Sequence, residues 1–179
     1  MKCVIILLIL ALNTYASSDQ VLVPKERTAI FPQERAHLLI TSVSYSPPEG
    51  ITAFWTPAEE DLKGVESKLE AYLRVIDLKN HPTQIPKRSW GEFYRQVTGV
   101  VIGERRLLFL YYFYEGTAGD RARMEIERKI ECERRGQVYV PESWKNFPHL
   151  VNDGGYLFFR LLFDPEKGAF VWYEENGDA

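Results

Sequence analysis

Cysteine is almost absent from this chain. Cys3 and Cys132 are the only two in 179 residues, and Cys3 falls in an N-terminal segment that reads as removed. Cys132 then has no partner, so the fold must stand on an apolar core rather than on disulfides. Glu131 and Glu133 beside it supply none of the positive surroundings of a reactive thiol, which leaves a passive residue or an intermolecular bridge. Histidine is as scarce: His37, His81 and His149 are far apart and share no metal-ligand spacing. The sequence contains no GxSxG, no GxGxxG after a strand and no GxxxxGK[ST]. It also lacks a basic block. With 25 acidic against 22 basic residues and a net charge of −3, it carries no electrostatic footprint for a phosphate backbone, and nucleic acid is not an expected partner. Beyond residue 16, Arg, Glu or Lys interrupts every apolar run before the ~20 residues that a membrane helix needs. These absences nominate no catalytic residue, no cofactor and no metal, and the expectation is a protein that is not an enzyme.

What is present begins at the N-terminus. Lys2 precedes the apolar run VIILLILAL, which is followed by Thr14-Tyr15-Ala16, a small-x-small pattern ahead of Ser17. The run is too short to cross ~30 Å of hydrocarbon. The pattern predicts a signal peptide over 1–16, cut near Ala16, and an exported chain, periplasmic or secreted. Residues 17–35, with Pro24 and Pro32, read as an extended arm. Residues 36–179 read as a single α+β domain, long enough to bury a core.

Within that domain, AHLLITSVSY is rich in β-branched residues and predicts a strand, stopped by Pro47-Pro48-Glu49-Gly50. TPAEE then opens a helix: Thr56 can cap it, Pro57 suits its first position and Glu59 stands three residues after the cap. Leu62, Val65, Leu69, Tyr72, Leu73 and Ile76 recur at spacings of three and four, giving one apolar stripe along about twenty residues. Gly64 interrupts the stripe, as a tolerated residue or as the mark of a close approach to a sheet. After NHPTQIP the period changes to two. WGEFYRQVTGVVI and RRLLFLYYFYEG flank Gly103-Glu104, and YLFFRLLF and AFVWYEE flank Asp164-Pro165-Glu166-Lys167-Gly168, so two hairpins supply four antiparallel strands. Between them, the segment 120–136 has a cap at Asp120, a stop at Gly136 and helix-favouring residues, against an even-numbered apolar alternation typical of a strand; helix is the preferred reading.

The acidic, glycine-containing interruptions near the C-terminus, Asp153-Gly154-Gly155 and Asp164 to Gly168, read as turns rather than as ligand cradles, because no calcium-like ligand density surrounds them. The aromatic distribution says more. Of 24 aromatic residues, 18 lie from Trp90 onward, mostly in the predicted strands. Phe109, Tyr111 and Phe113 project to one side of their strand and Leu108, Leu110, Tyr112 and Tyr114 to the other. Both faces are apolar, and one long helix covers only one of them, so the second must be buried by the N-terminal arm, by the charged 120–136 segment, by another subunit or by a ligand. An uncovered second face would be a binding surface, for which Tyr94, Arg95, Tyr112, Tyr114, Arg160 and Trp172 are the candidates. The leading expectation is therefore an interaction protein that uses an aromatic sheet face for a protein partner or for self-association. The alternatives are a small-molecule binder or hydrolase with a pocket between helix and curved sheet, lined by Tyr72, Tyr94, Arg95 and Arg160, and a structural envelope protein.

The stretches FYRQVTGVVIGERRLLFLYYF and VNDGGYLFFRLLFDPEKGAF, with the terminal NGDA, resemble an uncharacterised group of short exported bacterial proteins. That group shows a tyrosine-rich hairpin, a D-G-G before a penultimate strand, a D-x-x-x-G turn and an N-G-x-A ending. The likeness runs from Trp90 onward, with 120–136 as an insertion. It implies an exported single domain and implies no activity. A long helix on an antiparallel sheet is similar to cystatin-like and NTF2-like architectures, an analogy of shape alone.

Overall fold

A computed structural model describes residues 23, 25–80, 88–116, 118–141, 143–150 and 155–176, with 118–121 and 143 described by their backbone only. The predicted signal peptide and its cleavage site, residues 17–22 and 24 of the arm, His81, Asp153-Gly154 and the last three residues lie outside them.

The chain folds as α+β, with three helices and a sheet of six mostly antiparallel strands. In order these are β1 (Thr28–Ile30), α1 (Gln33–Val43), β2 (Ile51–Trp55), α2 (Val65–Asn80), β3 (Phe93–Ile102), β4 (Arg105–Tyr114), α3 (Ala118–Arg134), β5 (Phe158–Asp164) and β6 (Ala169–Glu175). The spatial order is β1-β3-β4-β5-β6, and β2 also pairs with β3. Along one edge of β3, β1 runs parallel to Arg95–Val97, while β2 runs antiparallel to the stretch from Gly99 to Ile102.

Both expected hairpins form. Gly103 turns β3 into β4 at φ +61°, a conformation open to glycine. At the β5–β6 turn the Lys167 N–H donates to Asp164 Oδ1 at 3.1 Å, and Gly168 takes φ +56°. The 120–136 segment is helical, as preferred, and ends in a Schellman motif: Gly136 has φ +65°, the Gln137 N–H donates to Cys132 O at 2.8 Å, and the Gly136 N–H donates to Glu133 O at 3.1 Å.

Three expectations fail for local physical reasons. The stretch AHLLITSV is helix, not strand, because Ala36, Leu39, Ile40 and Val43 stand at i, i+3, i+4 and i+7 and all are buried. Its β-branched residues are outweighed by that stripe. Thr56 does not cap the helix that follows it; its Oγ1 accepts the Gln33 N–H at 3.0 Å and so caps α1 across space. The expected twenty-residue helix is a 3-10 turn at Glu59–Leu62 followed by α2, divided by Gly64 at φ +82°. Within the turn the Ala58 N–H donates to Asp61 Oδ2 at 2.7 Å. A Cβ on Gly64 would meet nothing within 4 Å, so this glycine serves a left-handed break and not a close approach.

The greatest departure concerns the second face. Alternation along the strands divides the core in two. Phe93, Val97, Leu108, Leu110, Tyr112, Phe159, Leu161 and Phe163 pack under Val65, Leu69 and Leu73 of α2. Val100, Leu107, Phe109, Tyr111, Phe113 and Leu162 pack under Leu39, Ile40 and Val43 of α1, with Ala29, Phe31 and Trp144 beside them. The second face is closed by the helix that the sequence predicts as a strand, together with Ala29 and Phe31 of the expected arm.

A buried glutamine fastens that cover. Gln96 Nε2 donates to the carbonyls of Trp144 and Phe147 at 2.5 and 2.7 Å, and Gln96 Oε1 accepts the His149 N–H at 3.1 Å. All three side-chain hydrogen bonds go to the 144–149 backbone, which is thereby strapped across the N-terminal half of β3. At the opposite end, Gly99 leaves room for the Trp55 ring, into which a Cβ would run. The Trp55 indole N–H donates to Val100 O at 3.2 Å, and the Arg106 guanidinium lies 3.9 Å above the ring.

Candidate functional site

On the α2 side of the sheet, beside β1, a cavity of about 580 Å³ opens to solvent. The β1 edge and the segment before it contribute Val23, Thr28 and Ile30; the 3-10 turn and the start of α2 contribute Leu62 and Glu66; β3 contributes Arg95. Gly64, at the break between the 3-10 segment and α2, lines the cavity as well. Its volume lies within the ~300–1,000 Å³ of small-molecule sites.

Arg95 and Glu66 form the polar part of the wall. Arg95 is directly opposite Tyr112 in the β3–β4 register, so its side chain rises beneath the first turn of α2, where Glu66 sits. Nη1 donates to Glu66 Oε1, and also to the Tyr112 hydroxyl at 3.1 Å; Nη2 donates to Thr28 Oγ1 at 3.1 Å. The two side chains are only 5% and 14% exposed, so the pair is desolvated. Burial by itself would lower the Arg95 pKa, but Tyr112 and Glu66 outweigh it and hold the guanidinium above its ordinary value. Burial pushes the Tyr112 phenol upward against the pull of Arg95, so it stays protonated. Two buried atoms of the pair are left over: Glu66 Oε2 and Arg95 Nε have no hydrogen-bond partner among the described residues. At the rim, Lys25 and Glu59 form an exposed ion pair at 2.6 Å.

The candidate residues divide among three environments and make no common surface. Arg95 and Tyr112 belong to the cavity wall and its support. Tyr94 is half-buried on the other face, stacked on Phe113 at 5.7 Å and edge-on to Trp144 at 4.8 Å. Tyr114 packs at the margin of the α2-side core, 5.7 Å from Phe93. Trp172 packs 6.2 Å from Phe109 on the α1 side. Arg160, 1% exposed, also faces α1, with the Tyr111 and Tyr45 rings 5.1 and 5.6 Å from its guanidinium carbon. Of the four residues expected to line a pocket, Arg95 alone does so; Tyr72 instead packs 4.8 Å from Phe170. Sequence reasoning did not find Glu66 or Thr28. The available signal for Glu66 was its place just after Gly64, in the first turn of the helix.

Arg160 is the under-satisfied counterpart of Arg95. Its carboxylate neighbour, Glu174, is 3.8 Å away and accepts instead from Ser44 Oγ at 2.5 Å and from the Ser46 N–H at 2.7 Å. Arg160 Nε and Nη1 have no hydrogen-bond partner among the described residues, and neither does the Tyr111 hydroxyl. Burial lowers the Arg160 pKa, and Tyr111 and Glu174 do not make up the loss.

A third polar group lies under the strap. His149 stacks on Phe113 at 4.3 Å, with Nε2 3.2 Å from Glu115 Oε1, and Arg128 of α3 reaches the same oxygen at 3.5 Å. Burial, and next the Arg128 charge, push the His149 pKa down to about 4, so the imidazole is neutral near pH 7.

No protein-family model matches the chain, and it matches no curated protein and no solved structure. Among the described residues no cluster of three or more His, Cys, Asp or Glu side chains could hold a metal ion, and no helix is long and apolar enough to cross a membrane.

Proposed function

We propose that this is an exported, non-catalytic binding protein, and that its ligand is a small molecule held in the cavity between β1 and the start of α2. The observation that carries the reading is the composition of that cavity: Val23, Ile30 and Leu62 make an apolar wall, and a buried Arg95–Glu66 pair provides polar groups converging on one side. An apolar enclosure with a few fixed polar groups favours a compact ligand over an extended protein surface. Cover of the second face by α1 and the 144–149 strap supports the cavity in preference to an aromatic sheet face.

The test is fluorescence titration with 1-anilinonaphthalene-8-sulfonate, an apolar anionic probe. Saturable binding is expected, and it should be lost when Ser67, an exposed residue on the cavity lining, is replaced by a filling side chain, Ser67→Trp. Absence of binding, or binding that Ser67→Trp leaves unchanged, would overturn the reading.

A further inference from the structure

What the cavity can hold follows from which of its polar side chains are already engaged. At the rim, Lys25 and Glu59 pair with each other at 2.6 Å. Arg95 donates to Glu66 and to Thr28 Oγ1, and the atoms that this pair leaves over, Glu66 Oε2 and Arg95 Nε, are shielded from solvent. Ser67 Oγ donates to the Gly64 carbonyl at 3.1 Å. Lys63 is the exception. It lines the cavity and is exposed, and its ammonium has neither a carboxylate nor another acceptor among the described residues. Three cations, Lys25, Lys63 and Arg95, thus face two carboxylates, Glu59 and Glu66. The two closed pairs cancel, and one positive charge remains that a ligand can reach from solvent.

Resting on the pocket reading above, we infer that the site takes a small amphipathic monoanion, an apolar body bearing one acidic group, with a fatty acid as the type. The acidic group meets the Lys63 ammonium on the solvent side, and the body lies against Val23, Ile30 and Leu62. A cationic amphiphile would meet Lys63 as a like charge. A sugar would bring its hydroxyls against side chains that are already bonded to one another and would leave those hydroxyls unpaired. Because Lys63 is exposed, its ion pair stays partly hydrated and discriminates modestly, by about fivefold.

Two fluorescent probes that differ by one sulfonate test the inference: 1-anilinonaphthalene-8-sulfonate and its neutral parent, N-phenyl-1-naphthylamine. Lys63→Gln should weaken the sulfonate about fivefold and leave the neutral probe unchanged, and added salt should weaken the sulfonate in the wild-type protein. Lys79→Gln, at an exposed position in the last turn of α2, should change neither. In competition with the bound sulfonate, decanoate should displace it at lower concentration than decylamine, and Lys63→Glu should reverse that order. The inference is overturned if Lys63→Gln spares the sulfonate or weakens both probes alike, or if decylamine competes as well as decanoate with the wild-type protein. If the sulfonate is nonetheless held and is released by Ser67→Trp, the pocket stands without the anion preference. If the sulfonate is not held, or Ser67→Trp does not release it, both fall.

Discussion

The two faces of the sheet each bury an arginine against a cross-strand tyrosine, and the two pairs are closed by different chemistry. On the α2 side Arg95 stands opposite Tyr112 and meets Glu66, Tyr112 and Thr28 at hydrogen-bonding distance. On the α1 side Arg160 stands opposite Tyr111, but Glu174 is held 3.8 Å away by the turn that follows α1. Consecutive residues of β4, Tyr111 and Tyr112, thus point at opposite layers and support opposite outcomes. A buried guanidinium is stabilised by where its carboxylate partner is fixed, not by having one nearby. Glu66 is fixed by α2 directly over Arg95, whereas Glu174 is drawn to the Ser44–Ser46 turn. The strap on the α1 side is instead held through neutral groups: the amide of Gln96 and the uncharged ring of His149.

The sharpest way to break this contrast is to remove the matched carboxylate. Glu66→Ala leaves Arg95 buried and unpaired and should destabilise the protein by about 3–5 kcal/mol in urea unfolding. A loss comparable to that of an exposed ion pair would equate the two sides.

Acid should act on the α1 side. His149 has a folded pKa near 4 against an ordinary value of 6.5, so between those values the unfolded chain binds the extra proton. Its contribution is complete above pH 6.5 and is lost as pH falls toward 4. The slope implies about 3 kcal/mol over that window, measurable as urea midpoints from pH 7 to pH 4 and largely abolished by His149→Gln.

Gln96→Leu keeps the side-chain volume but releases the strap. With the Trp144 and Phe147 carbonyls and the His149 N–H unpaired, a loss of about 2–3 kcal/mol is expected, with a red shift of tryptophan emission as Trp144 meets water. The smallest effect belongs to Arg160→Met. Removing a guanidinium that is poorly paired should change stability by less than about 1 kcal/mol, or raise it. A large loss would show that Arg160 is better satisfied than its geometry indicates.

Much of the architecture was legible in the sequence because turn chemistry and periodicity agreed there. Asp164, Pro165 and Gly168 specify the β5–β6 turn, Gly103 specifies the β3–β4 turn, and the spacing of Val65, Leu69 and Leu73 specifies α2. The first helix was missed where two local signals disagreed: β-branched Ile40, Thr41 and Val43 favour a strand, while the Ala36-Leu39-Ile40-Val43 stripe favours a helix. Tertiary burial decided for the stripe. That single reversal changes the functional expectation, since α1 is what hides the second face. The cavity was legible only in Arg95. Glu66, Thr28 and Leu62 come from three separate segments, and nothing local in a sequence shows that a helix break at Gly64 will bring them around one arginine. The capping role of Thr56 was hidden for the same reason, because the helix N-terminus it serves, at Gln33, lies 23 residues earlier.

The most direct test of the account is an amide chemical-shift titration with 1-anilinonaphthalene-8-sulfonate on uniformly labelled protein. The expected result is a saturable response confined to residues 28–30, 62–67 and the amides around Arg95, with the Trp172 and Tyr94 surroundings unmoved. A response centred on β6 or on the 144–149 strap, or none at all, would contradict a binding site at the Arg95–Glu66 pair.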